Sequence, residues 1–501
     1  MTKVNLFRFD GGLSAFDISD ASNQQNTSGG FDIFAEKFGI KRLRIPSEYD
    51  TQNAGSTQMI FDACKRDTDG RVMAVGQTSS TNSAFRFYRK NGNNFWTQSL
   101  AAGIPVANNS AFAVLFRGEQ YGFACTFSQA VLYRYDTDSL IATLDTISDS
   151  HPSSIAPAPI VHSQDNTLYY AYGKTIRKYV SGISGVPCIT LPDNITSICE
   201  YGPYLAIACQ SATNGTIYLW GRDTTLTTFQ DKIYVSTDFL KIIDVIDGYL
   251  VSVSESPYEP NFSNNSIIFS PNYAVKVRMY TGGTMKLISE TNNLGFTEGG
   301  TNHRLRNKKQ KRDGFLFFST GSNYLMKFGL NKLGQYVLSW DQQIAHLSSN
   351  ITELFTFFLL GDYTYSCQTN SVDSNRLTKT EVNPVYASTA LYETTINPNM
   401  LVEDWHKDKV LNNVTIKGSV LNQNSAATLT LKYSVDNSVF VTIMSQTQPF
   451  YSNVFRFETF AELDSLPFKT GRDFRFRVEV MGLIDIDQIT YEYDDASPQT
   501  N

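Results

Sequence analysis

The stretch Ile195–Cys209 reads ITSICEYGPYLAIAC, and it decides the fold because two apolar segments flank a tight turn at Gly202. Each segment has the length and the apolar, β-branched character of a short buried strand. A third segment, Ile217–Trp220, follows after a polar interval and again favours a strand. Short strands joined by tight turns predict an antiparallel meander for this part of the chain.

The same unit recurs along the chain, with turn residues spaced by 36 to 66 positions. The turns fall at Gly70, Gly118, Asn166, Gly202, Gly248, Gly314 and Gly361. An apolar strand precedes each turn except Gly314, and third strands such as Val131–Tyr135 alternate basic and aromatic residues. A four-stranded sheet cannot bury both of its faces alone, whereas a ring of such sheets can, so this period predicts a β-propeller of about seven blades. Six or eight blades, and a sandwich with coincidental spacing, are the alternatives.

The composition agrees with an all-β protein and excludes several functional classes. The chain has 27 Tyr and 34 Phe, and it contains no long segment with helical periodicity. A net charge of −6 argues against a general nucleic-acid binder, which needs a basic surface. No signal peptide or long apolar run is present, so we expect a soluble protein made in the cytoplasm without a membrane anchor. The six scattered cysteines predict buried, reduced thiols.

Two regions outside the repeat complete the predicted organisation. Residues 1–50 are rich in glycine and polar residues, which predicts an extended arm that supplies a closing strand to the last blade or reaches a neighbouring subunit. Residues 51–384 form the predicted propeller. Residues 385–501 contain about seven short strand-like segments, which predict a compact β-sandwich.

A search for catalytic groups finds no recognisable constellation. The five histidines lie in no motif of a hydrolase or metalloenzyme, and we expect no cofactor and no metal; they are His151, His162, His303, His346 and His406. The segment Ser434–Phe440 faintly resembles the Asp box of sialidases but lacks its glycine, so a hairpin turn is the better interpretation. Carboxylates are plentiful, and glycosidase activity stays open as an alternative. We predict that the chain is not an enzyme.

The strongest charge feature is the basic run that follows His303. Its six basic residues are Arg304, Arg306, Lys308, Lys309, Lys311 and Arg312. They predict a contact with an acidic partner surface or with DNA in transit; a solvated rim loop before the sixth blade is the alternative.

Several short motifs resemble those of a known class of proteins. They are the Gly11-Gly12 arm, the stretch Gly29–Phe34, the strand pair around Asp69–Gly76 and the segment Tyr433–Asp436. Together they resemble virion propeller proteins of marine bacteriophages and sandwich domains of phage tail proteins. The resemblance covers most of the chain, specifies architecture better than role, and transfers no functional residue.

The resemblance implies a structural virion protein, made in the host cytoplasm and located in the tail. In short-tailed phages such proteins include the tail nozzle or hub, whose subunits assemble into a homo-oligomeric ring and contact adaptor, portal and tail-fibre proteins. The alternatives are a receptor-binding or glycan-cleaving tail spike, in which Trp96 and Trp220 would stack on sugars, and a capsid decoration protein.

Overall fold

The chain consists of strands and turns throughout the part described by its computed structural model, with no helix among those residues, which confirms the all-β prediction. The described residues are 2–6, 31–32, 41–42, 44–45, 48–49, 59–77, 84–90, 96–105, 111–125, 129–137, 140–148, 160–162, 165–180, 183–211, 214–223, 228–255, 260–261, 268–269, 275–291, 308–319, 324–330, 334–343, 351–370, 376–380, 385–386, 389–396, 408–420, 427–436, 438–448, 455–462, 470–471, 474–481 and 484–495. The first five strands are β1 (Thr2–Leu6), β2 (Phe31–Asp32), β3 (Lys41–Arg42), β4 (Arg44–Ile45) and β5 (Glu48–Tyr49).

Four antiparallel sheets of four strands follow one another in chain order. Sheet one contains β6 (Met59–Lys65), β7 (Val72–Gln77), β8 (Ala84–Lys90) and β9 (Trp96–Pro105). Sheet two contains β10 (Ala111–Phe116), β11 (Glu119–Cys125), β12 (Gln129–Thr137) and β13 (Leu140–Ser148). Sheet three contains β14 (Ile160–His162), β15 (Thr167–Tyr172), β16 (Thr175–Val180) and β17 (Ile183–Thr190). Sheet four contains β18 (Asn194–Tyr201), β19 (Tyr204–Gln210), β20 (Gly215–Trp220) and β21 (Asp231–Ser236).

Three more sheets continue the series, and the last two take strands from outside the repeat. Sheet five contains β22 (Phe239–Ile246), β23 (Tyr249–Glu255), β26 (Val275–Tyr280) and β27 (Met285–Thr291), and its insertion carries the hairpin β24 (Pro260–Asn261) and β25 (Ile268–Phe269). Sheet six contains β28 (Lys309–Arg312), β29 (Phe315–Ser319), β30 (Tyr324–Leu330) and β31 (Tyr336–Gln343), extended by β4 and β35 (Val385–Tyr386). Sheet seven contains β32 (Ile351–Leu360), β33 (Tyr363–Asn370), β34 (Arg376–Thr380) and β5.

The predicted turns have the backbone conformation that a tight hairpin requires. All seven turn residues have positive φ, from 51° at Asn166 to 83° at Gly248. Glycine adopts this region without steric cost, and asparagine is among the few other residues that tolerate it. The turns that define the repeat are therefore present at the predicted positions.

The seven sheets contact one another in chain order, mainly through their first strands. Strand β6 packs on β10, β18 packs on β22, and β32 packs on β6, so that sheet seven meets sheet one. The Thr356 hydroxyl donates to the Phe61 carbonyl at 3.1 Å across that last contact. One core cluster also joins Ile60 and Phe87 of sheet one to Phe358 of sheet seven.

The N-terminal segment pairs with several different sheets. Strand β5 is the fourth strand of sheet seven, which is the first of the two roles predicted for the arm. Strand β4 extends sheet six, where it pairs with β31 and with β35. Strand β1 pairs with β43 (Ile484–Asp495) near the C-terminus. The arm thus ties the start of the chain to the last two sheets of the repeat and to the C-terminal region.

The C-terminal region forms two further sheets. The first contains β1, β43, β37 (Lys409–Val420), β40 (Phe455–Glu462) and β41 (Thr470–Gly471). The second contains β36 (Thr389–Ile396), β42 (Phe474–Met481), β38 (Ala427–Val435) and β39 (Val441–Gln448). A single buried cluster takes side chains from both sheets, including Ile416, Leu431 and Phe476. The faint Asp box lies in the hairpin between β38 and β39, where Asp436 has φ of 47° and the Ser438 N–H donates to the Val435 carbonyl.

Candidate functional site

Side chains of β28 reach the first strands of sheets one, four, five and seven. Lys309 Nζ donates to the carbonyl of Ile198 in sheet four at 2.9 Å and to that of Ile243 in sheet five. Gln310 Nε2 donates to Asp62 Oδ1 in sheet one at 3.2 Å. Sheet six therefore reaches sheets on both sides of it, beyond its immediate neighbours. We call the residues Asp62, Asp244, Lys308, Lys309, Gln310 and Lys311 the central network.

One half of the central network is built around the buried carboxylate of Asp62. Lys308 Nζ lies 2.6 Å from Asp62 Oδ2, and the backbone N–H groups of Ala63 and Ala113 donate to the carboxylate at 2.9 and 3.1 Å. The Lys308 ammonium also lies 5.3 Å from the ring centre of Phe112. A buried charge requires such partners, and Asp62 has four donors in all.

The other half is built around Asp244, which two lysines share. Lys309 Nζ lies 3.2 Å from one oxygen and Lys311 Nζ lies 2.8 Å from the other. The backbone N–H of Val245 donates to the same carboxylate at 2.7 Å. Lys309 is largely buried and bound by three acceptors, whereas the Lys311 side chain is half exposed. Two lysines share one carboxylate, so this half carries one surplus positive charge beside the half-exposed Lys311.

The central network also pairs backbone groups that the sheets leave open. A first strand has no neighbour on its inner edge, so its N–H and C=O groups on that side need other partners. Asp62 accepts from Ala113 N–H in sheet two, and Gln310 Oε1 accepts from Leu359 N–H in sheet seven. Lys309 Nζ donates to the Ile198 carbonyl in sheet four and to the Ile243 carbonyl in sheet five. The polar side chains thus hold several first strands together.

Burial and the lysines set the pKa values of the two aspartates in opposite directions. Burial raises the pKa of Asp62 above its usual value, although Lys308 opposes this effect, and burial lowers the pKa of Lys308. Burial also acts to raise the pKa of Asp244, but Lys309 and Lys311 outweigh it and lower that pKa. Both carboxylates are buried and in contact with ammonium groups, which leaves neither free to act as an acid or base on a substrate.

Buried or half-buried ion pairs hold one basic residue in each of three third strands. Arg177 in β16 lies 2.9 Å from Asp145 in sheet two, and Arg278 in β26 lies 2.5 Å from Asp238. Lys327 in β30 lies 3.3 Å from Asp341. The alternation of basic and aromatic residues in the sequence therefore reflects pairing within and between sheets.

The structure places the predicted basic residues in two groups. Lys308, Lys309 and Lys311 belong to the central network, and Arg312 donates to Thr364 Oγ1 at 3.2 Å and to the Tyr363 carbonyl at 3.4 Å. The rim-loop interpretation is wrong for Lys309–Arg312, which form the first strand of sheet six, where Lys309 and Lys311 pair with Asp244 of sheet five. Arg304 and Arg306 lie outside the described residues. Contact of the run with a partner stays a prediction.

Sequence reasoning missed Asp62, Asp244 and Gln310. The signal that could have found the two aspartates is a charged residue in the middle of an otherwise apolar first strand, as in Met59–Lys65 and Phe239–Ile246. Nothing local links them to the basic run, since Asp62 and Lys308 are far apart in the chain.

Other predicted residues have simpler positions. Trp220 is fully buried and packs edge-on against Tyr169, with ring centres 6.0 Å apart, so it cannot stack on a sugar. Cys188, Cys199 and Cys209 are buried free thiols, as predicted, and Cys64 is half-buried. The side chains of Trp96 and of the five histidines lie outside the description.

Neither a metal site nor a membrane span emerges from the described residues. No group of three or more His, Cys, Asp or Glu side chains among them is arranged to hold a metal ion. Within the same residues, no helix is long and apolar enough to cross a membrane.

Comparison with known proteins finds similarity of structure and none of sequence. No family model matches the chain, and no curated protein matches it. The WD40 β-propeller domain of Doa1 has a TM-score of 0.41 and 13% identity, covering 66% of this chain and 95% of that one. The Dos1 propeller has a TM-score of 0.43 and 10% identity, covering 77% and 95%. An exo-β-1,3-galactanase from Phanerochaete chrysosporium has a TM-score of 0.31 and 10% identity, covering 94% and 100%. At these values the neighbours carry no argument about activity.

Proposed function

We propose that this chain is a non-catalytic assembly protein, in which a rigid propeller presents binding surfaces on its rims. The observation that carries the proposal is the central network. Asp62 and Asp244, on the first strands of sheets one and five, are bound by lysines, and Lys309, Lys311 and Gln310 are bound in turn by backbone groups. Such a centre stabilises a scaffold and offers no free carboxylate pair for hydrolysis.

The proposed architecture is a seven-bladed propeller followed by a β-sandwich. Sheets one to seven would be the blades, and the contact of sheet seven with sheet one, together with β5 as its fourth strand, supports closure of the ring. The shared core of the last two sheets supports the sandwich. Closure leaves only short, protected strand edges, which favours a stable platform for binding.

The narrower role that we propose is a subunit of a bacteriophage tail nozzle or hub, which forms a ring and contacts adaptor and fibre proteins. This role rests on the sequence resemblance. Ring assembly from identical subunits requires two different complementary surfaces on each copy, and a propeller with distinct rims can supply them.

Native mass spectrometry of the purified full chain, combined with a hydrolysis assay, tests the proposal. We expect a closed oligomer and no release of reducing ends from host polysaccharides. A monomer that releases reducing ends would contradict the proposal and favour the spike. Locating the chain in an assembled particle would separate a tail subunit from a capsid decoration protein.

A further inference from the structure

An exposed aromatic surface lies between sheets five and six, outside the central network. We call it the tyrosine patch and define it by Asp247, Tyr249, Leu330 and Tyr336. Tyr249 is 46% exposed and Leu330 is 40% exposed, which is unusual for large apolar side chains in this protein. Asp247 is exposed beside them at the first turn of sheet five.

The tyrosine patch is fixed in place by its own contacts. The rings of Tyr249 and Tyr336 meet edge to face, with centres 5.9 Å apart at 76°. The Tyr336 hydroxyl donates to Asp247 Oδ2 at 3.2 Å, and Leu330 lies opposite Tyr336 in the outer hairpin of sheet six. The buried ring of Phe328 stacks against Tyr336 from the core side. A partner would therefore meet a preformed surface, with little ordering cost.

The charges around the tyrosine patch favour a cationic partner. The first turns of sheets five, six and seven carry three exposed aspartates, Asp247, Asp313 and Asp362, and Asp313 is 85% exposed. Lys311, the half-exposed base of β28 before the turn of sheet six, shares Asp244 with Lys309, so its one surplus positive charge is outnumbered by the three exposed carboxylates. The exposed Tyr249 ring, with the Asp247 carboxylate beside the patch, suits a guanidinium group on an apolar stem, through cation–π and ionic attraction.

We propose that the tyrosine patch binds the segment Arg304-Leu305-Arg306 of a second copy of this chain. That segment supplies two guanidinium groups around one apolar side chain. The segment belongs to the linker between the end of β27 at Thr291 and the start of β28 after Lys308. The turns at Asp247 and Asp313 follow the C-terminal ends of β22 and β28, so the linker joins the sheets at the opposite end of the strands. The contact joins the linker side of one copy to the turn side of the next, which is a head-to-tail interface. The inference rests on the proposed ring assembly and names the surfaces that form it.

A peptide titration tests the contact directly. The probe is a synthetic peptide of residues 301–307, titrated into the full-length chain. We expect saturable binding that Tyr249→Ser weakens about fivefold or more, and that a peptide with both arginines changed to serine abolishes. Asp247→Asn should also weaken binding, and asparagine tolerates the positive φ of 48° at this position. The matched control is Tyr234→Ser, which removes a 55% exposed tyrosine from sheet four and should leave binding unchanged.

Native mass measurements on the variants separate this inference from the proposed function. We expect Tyr249→Ser and the double variant Arg304→Ser/Arg306→Ser each to convert the oligomer to smaller species. An oligomer that survives both changes leaves ring assembly standing and overturns this interface. If the unmodified chain is monomeric, the proposed ring assembly is wrong. The peptide titration then tests by itself whether the tyrosine patch binds the Arg304-Leu305-Arg306 segment. Maltohexaose, titrated in the same way, tests whether the tyrosine patch binds a glycan. The inference is overturned if peptide binding does not depend on Tyr249, or if maltohexaose binds in a Tyr249-dependent way and the peptide does not.

Discussion

Replacing Lys308 with methionine tests the central network most sharply. Methionine keeps the length and apolar stem of the side chain but removes the ammonium group, which lies 2.6 Å from Asp62. The Asp62 carboxylate then stays buried with only N–H groups of Ala63, Ala113 and Gln310 to hold it. Three neutral donors compensate a buried negative charge incompletely, so the folded state should lose stability.

The magnitude follows from the cost of leaving one member of a buried ion pair unpaired. Such changes lower the free energy of unfolding by about 3–5 kcal/mol. Because Asp62 keeps three donors, we expect a loss of about 3 kcal/mol for Lys308→Met. Lys311→Met is the matched control, because its side chain is half exposed and Lys309 still holds Asp244. It should cost about 1 kcal/mol or less. Adding Asp62→Asn to Lys308→Met should recover part of the loss, since no buried charge remains.

Urea unfolding at several pH values is the assay. Because the pKa of Asp62 is raised in the folded chain, the folded state binds a proton at higher pH than the unfolded state does. Removing Lys308 removes the attraction that opposes this rise. The deficit of Lys308→Met relative to the unmodified chain should therefore shrink as the pH falls from 7 towards 4. Equal losses for Lys308→Met and Lys311→Met, or a deficit independent of pH, would show that Lys308 does not stabilise a buried Asp62 carboxylate.

The remaining predictions concern three other sites. Gly185→Ala should destabilise the chain by about 2 kcal/mol in urea unfolding, because φ is +69° there and an added Cβ would collide with the Asp145 carboxylate; an unchanged midpoint would contradict this. Cys199, whose pKa burial raises to about 12, and Cys209 should resist iodoacetamide in the folded chain and react in urea, as mass spectrometry would show. The lowered pKa of Asp244 gives stability that is present above pH 3.8 and is lost as the pH falls through its folded-state pKa. Asp244→Asn should therefore show a shallower loss of stability between pH 4 and 2, and an identical slope would count against it.

The repeat was predictable because each unit is defined by local chemistry. A glycine or asparagine with an apolar strand on each side is visible in the sequence at six of the seven turns, and all seven turn residues, from Gly70 to Gly361, have the expected positive φ. The first strand of sheet six was missed for the same reason, since Lys309–Arg312 has no apolar residue and looks like a solvated loop. Its place inside the protein depends on Asp62 and Asp244, and no local pattern connects residues so far apart in the chain.

The arm shows a similar limit. Its glycine-rich, polar sequence indicates an extended segment, and both a closing strand and a contact with a neighbour fit that description. The pairing of Glu48–Tyr49 with β34 is set by a free sheet edge that forms only when the last repeat is folded. Two-residue strands carry too little pattern to be assigned from sequence.

An experimental structure of the full chain at a resolution that shows side chains tests the central claim most directly. We expect seven sheets around one axis, with the Lys308 and Lys309 ammonium groups within hydrogen-bonding distance of Asp62 and Asp244. An open central channel with these lysines in solvent, or a sugar bound between the two carboxylates, would contradict it.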